Sequence, residues 1–191
     1  RLIGIKNNNA LISTDKGNNW TTVTPGDNDD SMMDLVVAPD GTIYVALLFF
    51  QDGMPPTARQ ELHKSTNGGA NWTRIQNYEN DDVGGCIWEV YASNNVYFFR
   101  PDAQLANKLY KSTDGGATFA NTGYNLNKTI NKISASFGNV YIGTYEGLYV
   151  SKNNGTSFTK MDIPIAARDF GQSQPDQSVA SFVVASANEL Y

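Results

Sequence analysis

The chain has one cysteine, Cys86, and one histidine, His63, in 191 residues. A single cysteine excludes an internal disulfide. Beside Ile87-Trp88, in a run that reads as a strand, Cys86 has the setting of a buried, inert thiol rather than of a nucleophile. One His and one Cys cannot assemble a zinc site of the usual imidazole and thiolate kind. Charge is also scarce: only 17% of residues are Asp, Glu, Lys or Arg, and the net charge is -5. An acidic balance argues against nucleic acid or an anionic membrane surface as a partner. No apolar run approaches the roughly 20 residues that span a bilayer, so membrane insertion by a helix is not expected. Helical periodicity is missing over any useful length. The chain starts at Arg1 with neither an initiator Met nor a signal peptide, which reads as a piece processed or excised from a longer polypeptide.

What is present is a repeat. An eight-residue pattern occurs four times: a serine, Asp or Asn two residues on, Gly two further, and a large aromatic three beyond that. The copies are Ser13, Asp15, Gly17 and Trp20; Ser65, Asn67, Gly69 and Trp72; Ser112, Asp114, Gly116 and Phe119; and Ser151, Asn153, Gly155 and Phe158. They are separated by 52, 47 and 39 residues, periods that mark one supersecondary unit per repeat. The chemistry is that of a turn. An Asx side chain accepts backbone N–H bonds, and Gly takes a positive φ that other residues avoid. Asn67 and Asn153 keep the carbonyl acceptor of Asp15 and Asp114 while dropping its charge, which argues for hydrogen bonding and against catalysis or metal ligation. The four aromatics read as plugs that pin each turn to the core.

Around each turn the same short runs return, rich in β-branched and aromatic residues and bounded by Gly, Asn, Asp and Pro. One precedes the turn directly, at 10–12, 62–64, 109–111 and 148–150. A second lies upstream at 42–46, 95–99 and 139–143, and another before it at 35–38, 88–91, 133–136 and 182–185. A fourth follows the turn, as at 21–23 and 73–75. Four antiparallel strands per repeat form the blade of a β-propeller. The first strand of each unit is expected innermost and packed on both sides.

The repeated pattern resembles the Asp box, or bacterial neuraminidase repeat, of sialidase-like and sortilin-like β-propellers, over nearly the whole chain. The resemblance implies an all-β fold of four-stranded antiparallel blades in one domain, with blade parts at about 1–25, 31–78, 84–122, 129–160 and 178–191. Arg1-Leu2-Ile3-Gly4 aligns with Val140-Tyr141-Ile142-Gly143, and Leu190-Tyr191 with Val140-Tyr141. Three blades are then complete and a fourth is split between the ends. Two explanations stay open, a closed ring of four and a stretch of a longer propeller, of which the longer array is the expectation.

The resemblance also implies that the box is structural and lies away from any active site. The loops at the other end of each blade, 25–31, 51–60, 77–85, 101–107 and 161–177, are where binding is expected. Candidate binding residues are Trp88, Glu89, Arg100, Tyr145 and Glu146. Glu89 stands where the equivalent strands carry Val36, Ile133 and Val183, and a buried carboxylate there needs a partner or a solvated channel. The acidic loops carrying Asp27, Asp29, Asp81 and Asp82 are weak Ca²⁺ candidates. Met32 and Ala38 stand where an EF-hand loop needs Gly and Glu, so solvated turns are the default and no cofactor is expected. His63 fills a slot held elsewhere by Leu11, Tyr110 and Tyr149, a strand-face position.

A sialidase would need three arginines to clamp a carboxylate, a Tyr–Glu nucleophile pair and an Asp acid/base. The five arginines here, Arg1, Arg59, Arg74, Arg100 and Arg168, do not reproduce the family's Arg-Ile/Leu-Pro motif. Tyr145-Glu146 offers the pair only superficially, in a short turn ahead of Gly147. The expected function is therefore a secreted or cell-surface module that binds a glycan or protein on the loop face, without catalytic residues. The alternative is a segment of a sialidase-like or xyloglucanase-like glycoside hydrolase whose catalytic set is incomplete here.

Overall fold

The computed structural model describes residues 2–7, 9–26, 31–51, 57–80, 90–92, 96–101, 107–126, 128, 130–136, 138–162, 184–186 and 189–190. Every regular element among them is a β-strand. Sheet 1 holds β1 (Leu2–Lys6), β2 (Asn9–Ser13) and β3 (Thr21–Val23). Sheet 2 holds β4 (Ser31–Val37), β5 (Ile43–Gln51), β6 (Thr57–Ser65) and β7 (Thr73–Asn80). Sheet 3 holds β8 (Val90–Ala92), β9 (Val96–Pro101), β10 (Asn107–Ser112) and β11 (Ala120–Leu126). Sheet 4 holds β12 (Ile130–Ser136), β13 (Asn139–Thr144), β14 (Gly147–Ser151) and β15 (Thr159–Lys160). β16 (Val184–Ser186) and β17 (Glu189–Leu190) pair as sheet 5, separate from β1. Each of these sheets is an antiparallel meander in chain order.

Short strands and tight turns give this topology because each hairpin closes locally. β4 lies against β8 and β8 against β12, so the first strands of successive sheets face one another. Burial is greatest one strand further out. Ile43 to Leu48 in β5 and Val140 to Thr144 in β13 are buried throughout, whereas most of β4 is only half-buried. The expectation of a doubly packed first strand is corrected accordingly. The second strand has neighbours on both edges, and in sheet 2 a sheet against each face, while the first is an edge strand. Two expected loops are also partly strand, since β5 runs to Gln51, β6 starts at Thr57 and β7 runs to Asn80.

The repeated turn joins the last two strands of each of sheets 1 to 4 and is closed by its own side chains. In all four copies the serine Oγ accepts the glycine N–H at 2.7–2.8 Å and donates to the Asx Oδ1 at 2.8–3.0 Å. That Oδ1 also accepts the N–H four residues on, from Asn19, Asn71, Thr118 or Ser157, at 2.8–2.9 Å. All four serines are buried. The two residues after the Asx both have positive φ: Lys16 and Gly17, Gly68 and Gly69, Gly115 and Gly116, Asn154 and Gly155. Positive φ at both central residues is the signature of a type I′ turn.

The turns also join the sheets. A Cβ on Gly69 would sit 2.9 Å from Val23 and 3.1 Å from Ile12 of sheet 1, and one on Gly116 would sit 2.6 Å from Ile75 of sheet 2. Lys64 Nζ and the Tyr44 hydroxyl of sheet 2 donate to the Gly115 carbonyl of the third turn, at 2.9 and 3.3 Å. Trp72 packs on a core of Ala10, Met32, Val45 and Leu47, and Phe119 on one of Ala38, Tyr44, Ala46 and Leu62. Phe158 packs against Leu109, Ile133, Val140 and Ile142. Each aromatic thus fills the layer between its own sheet and the one before. Trp20 departs from the plug expectation. It is 46% exposed, because no sheet precedes its own among the described residues.

Candidate functional site

With one end of each sheet taken up by the repeated turn, the opposite end carries the hairpins joining second and third strands. In sheet 4, Val140 pairs with Ser151 beside the repeated turn, and Thr144 pairs with Gly147 at the far end. Tyr145 and Glu146 form the two-residue turn there. The buried Thr144 hydroxyl braces it, donating to the Gly147 carbonyl at 2.9 Å and accepting the Glu146 N–H at 3.1 Å. Gly147, at φ 130°, provides a backbone angle that other residues rarely adopt. The phenol of Tyr145 is 63% exposed, and the Glu146 carboxylate pairs with Lys128, from the stretch joining sheets 3 and 4. A rigid turn therefore presents an aromatic ring and a carboxylate outward, with a cation beside them.

Arg100 lies near the same end of the neighbouring sheet. It pairs with Lys108, one step inside the Pro101–Asn107 closure of the β9–β10 hairpin. Trp88 and Glu89 lie outside the described residues, as do Asp27, Asp29, Asp81 and Asp82. Among the described residues no group of three or more His, Cys, Asp or Glu side chains is arranged to hold a metal ion. Tyr145, Glu146 and Arg100 thus share one end of adjacent sheets, and the four repeated turns occupy the other.

A second cluster escaped the sequence reading. Glu61 is only 3% exposed. Its Oε2 lies 2.6 Å from His63 Nε2, and its Oε1 accepts a 2.8 Å bond from Arg74 Nη1. The strand period puts Glu61 and His63 on one face of β6, and the ladder sets His63 opposite Arg74. That i, i+2 spacing was the available signal. Both carboxylate oxygens are occupied, so the cluster satisfies a buried charge within the sheet and keeps His63 in a structural role.

The Asx carboxylates are tuned by their turns. Hydrogen bonds from the Asn19 backbone and side chain and from Ser13 hold Asp15 below the ordinary carboxylate range. Those from Thr118 and Ser112 hold Asp114 well below it. Ionised and fully used as acceptors, neither is poised for proton transfer.

No family model and no curated protein matches this sequence. Solved structures do. The chain is similar to the extracellular domain of BT4673 from B. thetaiotaomicron at TM-score 0.61 and 13% identity, covering 96% of this chain and 23% of that one. It is similar to the Hadza microbial sialidase Hz136 at TM-score 0.55 and 15% identity, covering 80% of this chain and 39% of that one. The chain therefore spans less than half the length of either of these two structures. At these identities the likeness concerns the fold: an all-β, sialidase-like propeller architecture of antiparallel four-stranded sheets.

Proposed function

We propose that the chain is part of an Asp-box β-propeller acting as a binding module outside the cell or at its surface, with a glycan or protein ligand held at the sheet ends opposite the boxes. The carrying observation is the division of labour between the two ends. Box side chains are consumed by internal hydrogen bonds and by packing between sheets, whereas the braced Tyr145-Glu146 turn presents exposed polar and aromatic groups. Arg100, whose backbone lies near the same end of the neighbouring sheet, and, from the sequence, Trp88 and Glu89 are the other candidate contacts. Aromatic faces stack on sugar rings or peptide side chains, and the carboxylate and cations fix polar groups of the ligand. A glycan-array screen followed by titration of the hit against Tyr145→Ala tests this reading. Affinity should fall tenfold or more, equivalent to about 1.4 kcal/mol. Unchanged affinity places the site elsewhere.

The second reading is a segment of a glycoside hydrolase. It is favoured by the likeness to a sialidase of which this chain covers 39%, so that catalytic groups would be completed by chain beyond this segment. Sialoside hydrolysis by this chain that disappears in Tyr145→Phe or Glu146→Gln would replace the binding reading with this one.

A further inference from the structure

The three described junctions between sheets use one device, a repeated turn seated on the sheet before it. Gly69 rests on Ile12 and Val23, Gly116 on Ile75 and Tyr44, and Trp72, Phe119 and Phe158 fill the layers between. Sheet 1 carries the same turn with nothing among the described residues seated in front. Leu2 is 48% and Trp20 46% exposed. A Cβ on Gly17 would meet only Leu2 and Trp20 of its own sheet, at 3.4 and 3.8 Å. The register puts Leu2, Leu11 and Thr22 on this face, while Ala10 and Ile12 on the other pack toward sheet 2.

Scattered exposed apolar residues are common on protein surfaces. This face differs because it continues a series of interfaces made three times by equivalent residues. We propose that the Leu2–Gly17–Trp20 face is a fourth blade junction, and that its occupant is an Asp-box blade carried by the polypeptide on the amino-terminal side of Leu2. The proposal rests on reading the sheets as blades of one array. Its partner chemistry follows from the existing junctions: an aliphatic side chain at the position of Val23 or Ile75, set over the turn glycine. Sheet 4 does not fill the role. Its corresponding face, with Tyr141 and Leu148, is already 4% and 1% exposed while Leu2 and Trp20 stay open, so the two faces are not in contact.

Hydroxyl-radical footprinting of the natural full-length polypeptide reads the environment of Trp20 directly, with Trp72 as the internal standard for a seated box aromatic. Oxidation of Trp20 should drop to the rate of Trp72, and Trp20→Glu in that polypeptide should lower the thermal midpoint as Trp72→Glu does. Oxidation of Trp20 well above that of Trp72 overturns the proposal. Protection that vanishes on dilution assigns the face to a second copy and also overturns it, as does a natural polypeptide with no blade-length segment ahead of Leu2.

Discussion

At the scale of single residues, the turn acids behave as hydrogen-bond hubs whose charge is incidental to their geometry. In the third copy Asp114 Oδ2 accepts the Thr118 hydroxyl, and in the fourth Asn153 Nδ2 donates to the Ser157 hydroxyl, so one contact survives with its direction reversed. The charge still leaves a pH signature. Asp15 and Asp114 hold their protons less tightly in the folded chain than at the ordinary value of 3.8. The unfolded chain therefore binds more protons in that region, and the stabilisation present above pH 4 is lost as pH falls further. Asp114→Asn should leave the thermal midpoint at pH 7 nearly unchanged and flatten its decline between about pH 4 and 2, since Thr118 can accept where it donated. An acid decline as steep as in the parent would show that Asp114 does not contribute to it.

At the scale of the element, the two glycine positions of the turn have different jobs. The first of the positive-φ pair is occupied by Lys16, Gly68, Gly115 and Asn154, so conformation alone is demanded there. The second is Gly in all four copies, and at Gly69 and Gly116 the next atom outward belongs to the preceding sheet. Gly68→Asn is thus expected to change stability by no more than about 0.5 kcal/mol, since a Cβ there meets no other atom within 4 Å and Asn tolerates αL. Gly69→Ala combines φ 94° with a Cβ 2.9 Å from Val23 and should cost about 2–4 kcal/mol in denaturant unfolding. Equal costs at the two positions would mean that the glycine acts through its backbone only.

At the scale of the whole molecule, the repeat made the sheets legible and left their joints obscure. Strand order and the turn chemistry follow from local pattern, since the Ser, Asx and Gly of one turn are neighbours in the chain. Register at the amino terminus did not. Leu2 pairs with Ser13 as Ile43 does with Ser65, Val96 with Ser112 and Val140 with Ser151. Leu2 is thus the equivalent of Val140, one residue from the alignment suggested by matching Gly4 to Gly143. Hairpin pairing counts residues from the serine, and a shared glycine says nothing about that count. The Glu61–His63–Arg74 cluster was hidden because it depends on the register between β6 and β7, and the exposure of Trp20 because it depends on which sheet lies against which face. The candidate binding turn was legible as Tyr145-Glu146, but its bracing by Thr144 and its pairing with Lys128 needed coordinates.

The central claim is that the repeated turns lock each sheet onto the one before it and carry no chemistry of their own. Chemical denaturation of Trp72→Ala and Trp20→Ala in this chain compares a turn with a preceding sheet to one without. Trp72→Ala should lose about 3–5 kcal/mol, the cost of emptying an aromatic site in a core. Trp72→Phe should lose little, because Phe119 and Phe158 fill the same slot and the Trp72 indole N–H has no hydrogen-bond partner to forfeit. Trp20→Ala should lose under about 1 kcal/mol, as exposed positions do. Equal losses at Trp20 and Trp72, or a Trp72→Ala chain as stable as the parent, would contradict the account.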